Sequence, residues 1–168
     1  DGQLVPFTGG IRGEVIMTHQ VHKDYFSDKA NCRNAANGLM KRKDGQGSEF
    51  LKLITYDALS TDGKSYFTNE EEKIRWLMDC GFNVVKLVIC KSPDRVIAYR
   101  AKVMEERKNI EYDIDGLVIK ERKINLEDAR RARPDHQIAF KFSLEEAVST
   151  LRQVEWSING GTYTPVAI

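Results

Sequence analysis

The segment from Tyr112 to Lys120 (YDIDGLVIK) restricts the fold more than any other, because it is an apolar strand that opens on carboxylates and closes on a lysine. Side chains alternate between the two faces of a strand, so Asp115 and Lys120 lie on opposite faces unless a twist or bulge intervenes, and each charge needs its own partner or ligand. A second such strand, IAFKF, embeds Lys141. Together the two lysines predict a cradle for a phosphate, whereas either one alone is typical of a solvated sheet face.

Other motifs flank this segment in a set order. RGEV begins at Arg12, a loop containing RNAA spans residues 31–38, an apolar strand ends in Tyr56, and TPVA occupies residues 164–167. From about residue 10 to the C-terminus, this order resembles the adenylation domain of NAD-dependent DNA ligases. The short piece DG-x-V-I-K also occurs in ATP-dependent ligases and capping enzymes, but RGEV, the RNAA loop and TPVA together are similar to the NAD-dependent branch.

Enzymes of that superfamily begin their chemistry at the lysine of a K-x-D-G motif, whose amine attacks the α-phosphate of the nucleotide and becomes linked to AMP. This chain contains no K-x-D-G. Arg42-Lys43-Asp44-Gly45 comes closest, but Arg42 stays protonated and cannot act as a nucleophile. We therefore expect the C-terminal portion of an adenylation domain, inactive by itself, with the nucleophilic lysine upstream of residue 1 or outside this chain.

Length and composition fit one compact piece. At 168 residues with 41% hydrophobic content, the chain is long enough for a core of its own. The resemblance implies that residues 1–157 are the C-terminal portion of the adenylation domain. Residues 158–168 would start a linker or first strand toward an absent OB domain. The missing N-terminal and OB domains of the same enzyme are then expected partners.

Charge, cysteines and hydropathy limit the other partners. No apolar run approaches the ~20 residues of a membrane-spanning helix, which predicts no membrane partner. The three cysteines lack CxxC spacing, which argues against a zinc site or a disulfide framework and fits a reducing cytoplasm. A net charge of +1 does not by itself require nucleic acid. Three basic clusters are able to neutralise phosphates or form solvated faces: residues 41–43, 120–123 and 130–133.

Periodicity, caps and turn residues predict mixed strands and helices without strict βαβ alternation, which implies an α+β fold. The resemblance makes it the nucleotidyltransferase fold, the ATP-grasp-like fold of DNA ligase adenylation domains, here incomplete, with antiparallel sheets flanked by helices. The predicted strands are residues 10–17, 50–56, 84–89, 115–121, 137–142, and a final pair, 147–157 and 162–168, around Asn159-Gly160-Gly161. The predicted helices are residues 18–28, 93–108 and 125–131, and a helix from Thr68 to Gly81. Thr18 is the expected cap of the first helix, and Ile74, Leu77 and Met78 form the expected apolar face of the helix from Thr68. One further helical turn is predicted at residues 34–40, within a loop over residues 31–47.

The resemblance also implies nucleotide contacts, residue by residue. Glu14 of RGEV matches the acidic residue that contacts the ribose, and a carboxylate suits hydroxyl donors. Tyr56 matches the aromatic residue that stacks on adenine, with Val118 against the other face of the base. Arg33 matches the loop arginine near nucleotide and DNA phosphates. Without the resemblance, Tyr56 would be assigned to the core and Glu14 to an exposed pair with Arg12.

Lys120 and Lys141 match the two lysines that the family uses at the nucleotide, with Lys141 at the α-phosphate. Cations fixed in a dry cleft stabilise the charge that develops on nonbridging oxygens during phosphoryl transfer. Asp115 matches an acidic residue important for catalysis, acting through Mg²⁺ or by orienting the nucleophilic lysine. Because Mg²⁺ takes one or two carboxylates and keeps its waters, a single Asp near phosphates suffices. The alternative is a turn-capping aspartate.

Some residues depart from the family pattern. Cys32 stands where the loop usually has Pro, and His136-Gln137 replaces an aromatic-containing pair. These departures concern the expected DNA contacts rather than the nucleotide site. His19 and His22 are spaced three apart on the predicted helix and could bind a metal, but no third ligand is evident, so we expect both to be solvent-exposed.

The resemblance implies an enzyme, an NAD-dependent DNA ligase. The intact enzyme would transfer AMP from NAD to its lysine, pass the AMP to the 5′-phosphate of a nick in double-stranded DNA, and seal the nick with the 3′-hydroxyl. The expected cofactors are NAD and Mg²⁺, and the expected location is the cytoplasm. Two alternatives stay open: an ATP-dependent or RNA-ligase-type nucleotidyltransferase, and a non-catalytic nucleotide- or DNA-binding module.

Overall fold

The computed structural model describes residues 6–143 and 148–168. The strands are β1 (Gly9–Ile16), β2 (Lys52–Ser60), β3 (Gly116–Lys120), β4 (Gln137–Lys141), β5 (Val154–Asn159) and β6 (Thr162–Ala167). The helices are α1 (His19–Tyr25), α2 (Cys32–Met40), α3 (Glu70–Asp79), α4 (Pro93–Glu106) and α5 (Leu126–Ala129), with 3-10 turns at Ser48–Phe50 and Arg107–Asn109. Across the described ranges, no helix combines the length and apolar character that a bilayer crossing requires.

The strands pair as small antiparallel sheets of two strands each: β1 with β2, β3 with β4, and β5 with β6. Helices stand between these pairs in the chain, and α3 and α4 contact β2 and β3 respectively. The predicted mixture of helices and small antiparallel sheets is therefore confirmed. Each sheet is too narrow to be stable alone, so its packing against helices and loops supplies the rest.

The predicted strand over residues 84–89 is wrong. Only Val84 makes a bridge, parallel to Thr55 of β2, and Val85 donates its backbone N–H to the Thr55 carbonyl. Val84 and Val85 pack against the core, whereas residues 87–89 are exposed. An apolar run matches the strand pattern in sequence, but only its first part has a partner strand to pair with.

Side-chain caps set where the helices begin. Thr18 accepts a hydrogen bond from the Val21 N–H, which confirms the predicted cap of α1. Asn31 caps α2 in the same way, so a nine-residue helix forms where we expected a loop with one helical turn. The predicted cap of α3 is wrong by one residue, because Asn69 accepts from the backbone of Glu72 while Thr68 donates to the Glu72 side chain.

Helix α3 buries a stripe of four residues at helical spacing: Glu70, Lys73, Ile74 and Leu77. Ile74 and Leu77 confirm the predicted apolar face, but Met78 is 58% exposed and its assignment to that face is wrong. Two charged residues occupy the N-terminal half of the stripe. Helix α3 therefore presents an acid and a cation, as well as apolar groups, to the interior of the fold.

Apolar burial falls into two clusters. The first joins α1 and α2 to the end of β1 and contains Met17, Cys32, Ala35 and Ala36. The second joins α3 to β2 and contains Ala58, Phe67, Ile74 and Leu77, with the rings of Phe7, Tyr66 and Trp76 packed around it. Strands β1 and β2 contribute Ile11 and Ala58 to the second cluster, and they carry the two motifs that the resemblance assigns to ribose and adenine.

Strands β5 and β6 form a hairpin around Gly160 and Gly161, whose φ angles of 56° and 83° lie in the left-handed region that glycine tolerates. This confirms the predicted pair, although β5 begins at Val154. The earlier part of the predicted strand includes residue 147, which lies outside the described residues. The predicted domain boundary between 157 and 158 falls within β5, and the domain division stays a prediction.

Candidate functional site

Strands β3 and β4 form an antiparallel pair, which we call the hairpin although α5 lies in the connection between them. The hairpin carries three of the predicted site residues on one face. Gly116 pairs with Lys141 and Lys120 with Gln137, and directly opposed residues of an antiparallel pair share a face. The two-residue repeat of β3 places Val118 and Lys120 on the face of Lys141, which we call the open face. Val118 is 62% exposed. The offset of four residues spaces the two lysine Cα atoms by about 13 Å, so the lysines lie at opposite ends of this face.

Helix α4 packs on part of the other face of the hairpin, through Arg100. The Arg100 guanidinium carbon lies 4.6 Å from the ring centroid of Phe140, and its Nε donates to the Lys141 carbonyl at 2.9 Å. Phe142, the next residue of this face, is buried. Arg100 therefore fixes the backbone of Lys141 from the opposite face of the hairpin and does not occupy the open face.

At one end of the open face, Lys141 Nζ donates to Asp115 Oδ2 at 2.5 Å. This hydrogen bond holds the pKa of Asp115 below its ordinary value against the opposing effect of burial, and the charges of Lys141 and Arg33 add to the lowering. The two side chains of the pair are 64% and 68% exposed. Exposed ion pairs are weak, so Lys141 is able to exchange its carboxylate for the phosphate oxygen of a ligand.

At the other end, Lys120 Nζ lies 3.5 Å from Glu70 Oε2 and 4.0 Å from Asp57 Oδ2. Lys73 Nζ contacts the same two side chains, at 2.5 Å from Asp57 Oδ1 and 2.8 Å from Glu70 Oε1. The Lys73 side chain is 3% exposed. These four residues, two acids and two lysines, form what we call the ionic tetrad. It ties the end of β3 to β2 and α3, so each predicted strand lysine has its own partner, as expected.

Sequence reasoning identified Lys120 but missed the other members of the ionic tetrad. They lie on β2 and α3 and meet only in the fold. One sequence pattern could have found two of them, because Glu70 and Lys73 precede Ile74 and Leu77 at spacings of three and four residues. Charged residues that continue an apolar helical stripe indicate a buried ion pair.

A bulge in β2 sets the position of Tyr56. Arg12 pairs with Asp57 and Gly13 pairs with Thr55, so Tyr56 is an extra residue opposite β1. Its neighbours Thr55 and Asp57 are both buried, whereas Tyr56 is 39% exposed. Tyr56 is therefore the unpaired residue of the bulge, exposed and directly before Asp57, a member of the ionic tetrad. The sequence predicts the strand but not this irregularity.

Glu14 lies in β1 opposite Ile54 and is exposed, so its carboxylate is accessible to a ligand. Gly13 beside it is required by space, because a Cβ there would lie 2.7 Å from both the Ile54 carbonyl oxygen and Leu53 Cδ1. A larger residue would displace β2 next to its bulge. The RGEV motif thus combines a close approach of two strands with an exposed carboxylate.

A cleft beside Lys120 extends the site toward the loop before β4. Its lining includes Arg12, Lys120, Asp128 and His136. Asp128 is buried and accepts hydrogen bonds from the backbone N–H groups of Asp135, at 2.8 Å, and His136, at 2.9 Å. Asp128 therefore fixes the loop that leads into β4, a role that the sequence analysis did not assign.

The predicted residues thus fall into two groups. Asp115 and Lys141 are in contact, and Arg33, exposed in the first turn of α2, acts electrostatically on that end of the open face. Lys120 joins the ionic tetrad next to Tyr56. Val118 lies between the groups. The arrangement offers an apolar centre with a movable cation at one end, which suits a ligand that has a flat apolar part and an anionic part.

Comparison with known proteins agrees with the motif order. A family model described as the NAD-dependent DNA ligase adenylation domain matches residues 5–145. The chain is 56% identical to a DNA ligase of Treponema denticola, over 97% of this chain and 26% of that protein. It is 46% identical to a DNA ligase of Treponema pallidum, over 98% and 21%, and 32% identical to one of Sorangium cellulosum, over 94% and 24%. The chain spans about a quarter of the length of these curated relatives.

Proposed function

This chain belongs to the NAD-dependent DNA ligase adenylation domain family, and we propose that it forms the C-terminal part of that domain, with a nucleotidyltransferase fold. The full-length enzyme transfers AMP from NAD to a lysine, passes it to the 5′-phosphate of a DNA nick and seals the nick with the 3′-hydroxyl. Nicked double-stranded DNA is then its partner, DNA replication and repair are its roles, and the cytoplasm is its location.

The proposed nucleotide lies along the open face. Adenine stacks between Tyr56 and Val118, and Glu14 accepts from the ribose hydroxyls. The α-phosphate then reaches Lys141 at the end of the face away from the ionic tetrad. Two features support this orientation: the exposure of Val118 between the lysines and the exposure of the unpaired Tyr56 directly before Asp57 of the ionic tetrad. Because the lysines lie about 13 Å apart along the strands, they do not share a single phosphate, and only Lys141 is proposed to reach the α-phosphate.

The observation that carries this proposal is the exposed pair of Lys141 and Asp115. Lys141 is held by its backbone through Arg100 while its amine remains accessible. It is thus a positioned cation at the place where phosphoryl transfer develops negative charge. Asp115 keeps the amine aligned before the nucleotide arrives, and its low pKa keeps it ionised at neutral pH.

Mg²⁺ is a proposed cofactor, and Asp115 is the residue proposed to hold it. An ionised and exposed carboxylate fits a cation that takes one or two protein oxygens and completes its shell with water and phosphate. When bound, Mg²⁺ would neutralise phosphate charge. Asp115 would then exchange its contact with Lys141 for the cation, which frees the lysine for the phosphate.

The nucleophilic lysine is proposed to lie on a part of the full-length protein outside these 168 residues, because no K-x-D-G occurs in this sequence. Intact-mass measurement after incubation with NAD and Mg²⁺ tests this. The 168-residue chain should gain no AMP, whereas a longer product of the same gene that carries K-x-D-G should gain one AMP from NAD and none from ATP. A stoichiometric adduct on the 168-residue chain would refute the assignment of the nucleophile, and an adduct formed only from ATP would refute the NAD assignment.

A further inference from the structure

Three side chains with metal-binding atoms meet beside the open face. They are His19 at the start of α1, Cys32 at the start of α2, and Asp113 in the segment before β3. The imidazole nitrogen, the thiol sulfur and a carboxylate oxygen all lie within 4.8 Å of one another, and His19 Nε2 is 2.8 Å from Asp113 Oδ1. None of these residues has a role in the proposed adenylation site.

We propose that His19, Cys32 and Asp113 bind a divalent cation of the Zn²⁺ class. One sulfur, one nitrogen and one oxygen ligand form the mixed donor set that Zn²⁺ accepts, whereas Mg²⁺ and Ca²⁺ prefer oxygen alone. Tetrahedral Zn²⁺ spaces such ligand atoms by about 3.3–3.6 Å. The present separations need only small side-chain shifts to reach this spacing, since the three atoms already lie within 4.8 Å of one another.

The fold holds two of the ligands in place. The backbone N–H of His19 donates to the Glu111 carbonyl at 2.8 Å, which fixes α1 against the segment that carries Asp113. Cys32 is buried among Met17 and the alanines of α2. Its sulfur therefore has little freedom, and a cation would bind without a large cost in ordering the thiol.

The other side of the cluster is open to solvent. The side chains of His19 and Asp113 are 42% and 69% exposed, so a cation has an entry path and a water is able to occupy a fourth position. Cys32 must lose its proton to the solvent when the cation binds, because the thiolate is the ligand. The bound cation would link α1 and α2 to the segment before β3.

This proposal departs from two expectations from the sequence. Cysteine spacing argued against a zinc site, and the histidines were expected to be solvent-exposed for lack of a third ligand. The structure places two further candidate ligands of the cation, Cys32 and Asp113, beside His19. No local motif reveals this group, because 94 positions separate His19 from Asp113. His22 does not join the cluster and instead contacts the Lys29 carbonyl at 3.0 Å.

Titration of the reduced 168-residue chain with Co²⁺ tests the proposal, since tetrahedral Co²⁺ bound to a thiolate absorbs in the near ultraviolet and the visible. We expect a sulfur-to-cobalt charge-transfer band that saturates at one equivalent and that Zn²⁺ abolishes. Cys32→Ser should remove this band, and His19→Gln and Asp113→Asn should each weaken Co²⁺ binding by at least ~100-fold, because even indirect partners of a metal contribute ~10–100-fold.

The chain contains matched controls for each ligand type. Cys80→Ser and Cys90→Ser should leave the charge-transfer band intact, and so should His22→Gln, on the same helix as His19. Circular dichroism checks that each variant is folded. A wild-type chain without the band, or a band that persists in Cys32→Ser and disappears in Cys80→Ser or Cys90→Ser, would overturn the proposal. Neither outcome depends on adenylation, so the proposed function is tested separately.

Discussion

The two ends of the open face hold the same side chain in opposite surroundings. Lys120 is 21% exposed and shares two carboxylates with the buried Lys73, whereas Lys141 is 64% exposed and has one exposed partner, Asp115. A buried charge cannot lose its partner cheaply, but an exposed pair opens at little cost. A lysine embedded in an apolar strand is therefore not by itself a sign of a ligand. One end anchors the hairpin, and the other end is able to accept a substrate.

The largest effect is expected from breaking the anchored end. Lys73→Met leaves Asp57 and Glu70 with an uncompensated buried charge, which should lower the free energy of unfolding by ~3–5 kcal/mol. Denaturant unfolding measures it. The matched control is Lys102→Met, which removes an exposed pair with Glu106 on α4 and should cost less than ~1 kcal/mol. Equal losses in both variants would mean that the ionic tetrad is not the anchor.

The exposed end should show the reverse pattern, with a large effect on rate and a small one on stability. In the full-length ligase, Lys141→Ala should slow adenylation of the nucleophilic lysine by ~10²–10³, as the loss of one preorganised donor does. NAD affinity should change less, and Lys141→Arg should restore little. Rapid-quench rates and equilibrium binding measure these effects, with Lys29→Ala, which removes an exposed pair with Asp28, as the control. Near-normal adenylation by Lys141→Ala would make it an ordinary surface lysine.

The middle of the open face supplies a third test. Tyr56→Ala should weaken nucleotide binding by ~1–3 kcal/mol, the contribution of one aromatic stack, while Tyr56→Phe should bind normally. Tyr163→Ala, an exposed tyrosine of β6, serves as the control in calorimetric titrations. Binding of the full-length enzyme to an already adenylated nick should be less affected. Equal losses with both ligands would indicate a folding defect instead of a lost stack.

The smallest effect concerns the acid at the exposed end. The Lys141 hydrogen bond lowers the pKa of Asp115 from its ordinary value of 3.8, so the pair contributes stability above that pH and loses it as the pH falls through the lowered pKa. In Lys141→Met, the pKa of Asp115 should rise back toward 3.8 and the acid-sensitive part of the stability should shrink. Carbon NMR of the Asp115 carboxyl group in metal-free buffer measures its pKa in the wild-type chain and in Lys141→Met. An unchanged pKa would mean that the pair is not formed in solution.

Local chemistry predicted the elements well where one residue type decides the outcome. Thr18 caps α1, Ser92 and Pro93 open α4, and the paired glycines turn the final hairpin. Errors arose where the partner is distant. The apolar run at 84–89, for example, lacks a continuous strand to pair with. The missed length of α2 is instead a local error, because Asn31 caps a helix in a segment whose asparagines and glycine suggested a loop.

The candidate site divides in the same way. Asp115 and Lys141 were predicted from their own motifs and do meet. The partners of Lys120 could not be predicted, because Asp57 and Glu70 come from two elements whose relative position depends on the packing of α3 against β2. The displacement of Tyr56 was equally inaccessible, since strand register is a property of the pairing of β1 with β2 and not of either strand.

The bulge in β2 makes the number of residues, rather than their identity, decide which groups reach the site. An in-frame deletion of the Tyr56 codon would leave Thr55 opposite Gly13 and Asp57 opposite Arg12 in a regular ladder, with every other pair of the two strands unchanged. One deletion would then remove the ring proposed to stack on adenine and the bulge that accommodates it, and no exchange of residue type at another position of the strand would restore them. Over evolution, this strand should accept exchanges of residue type far more readily than changes of length.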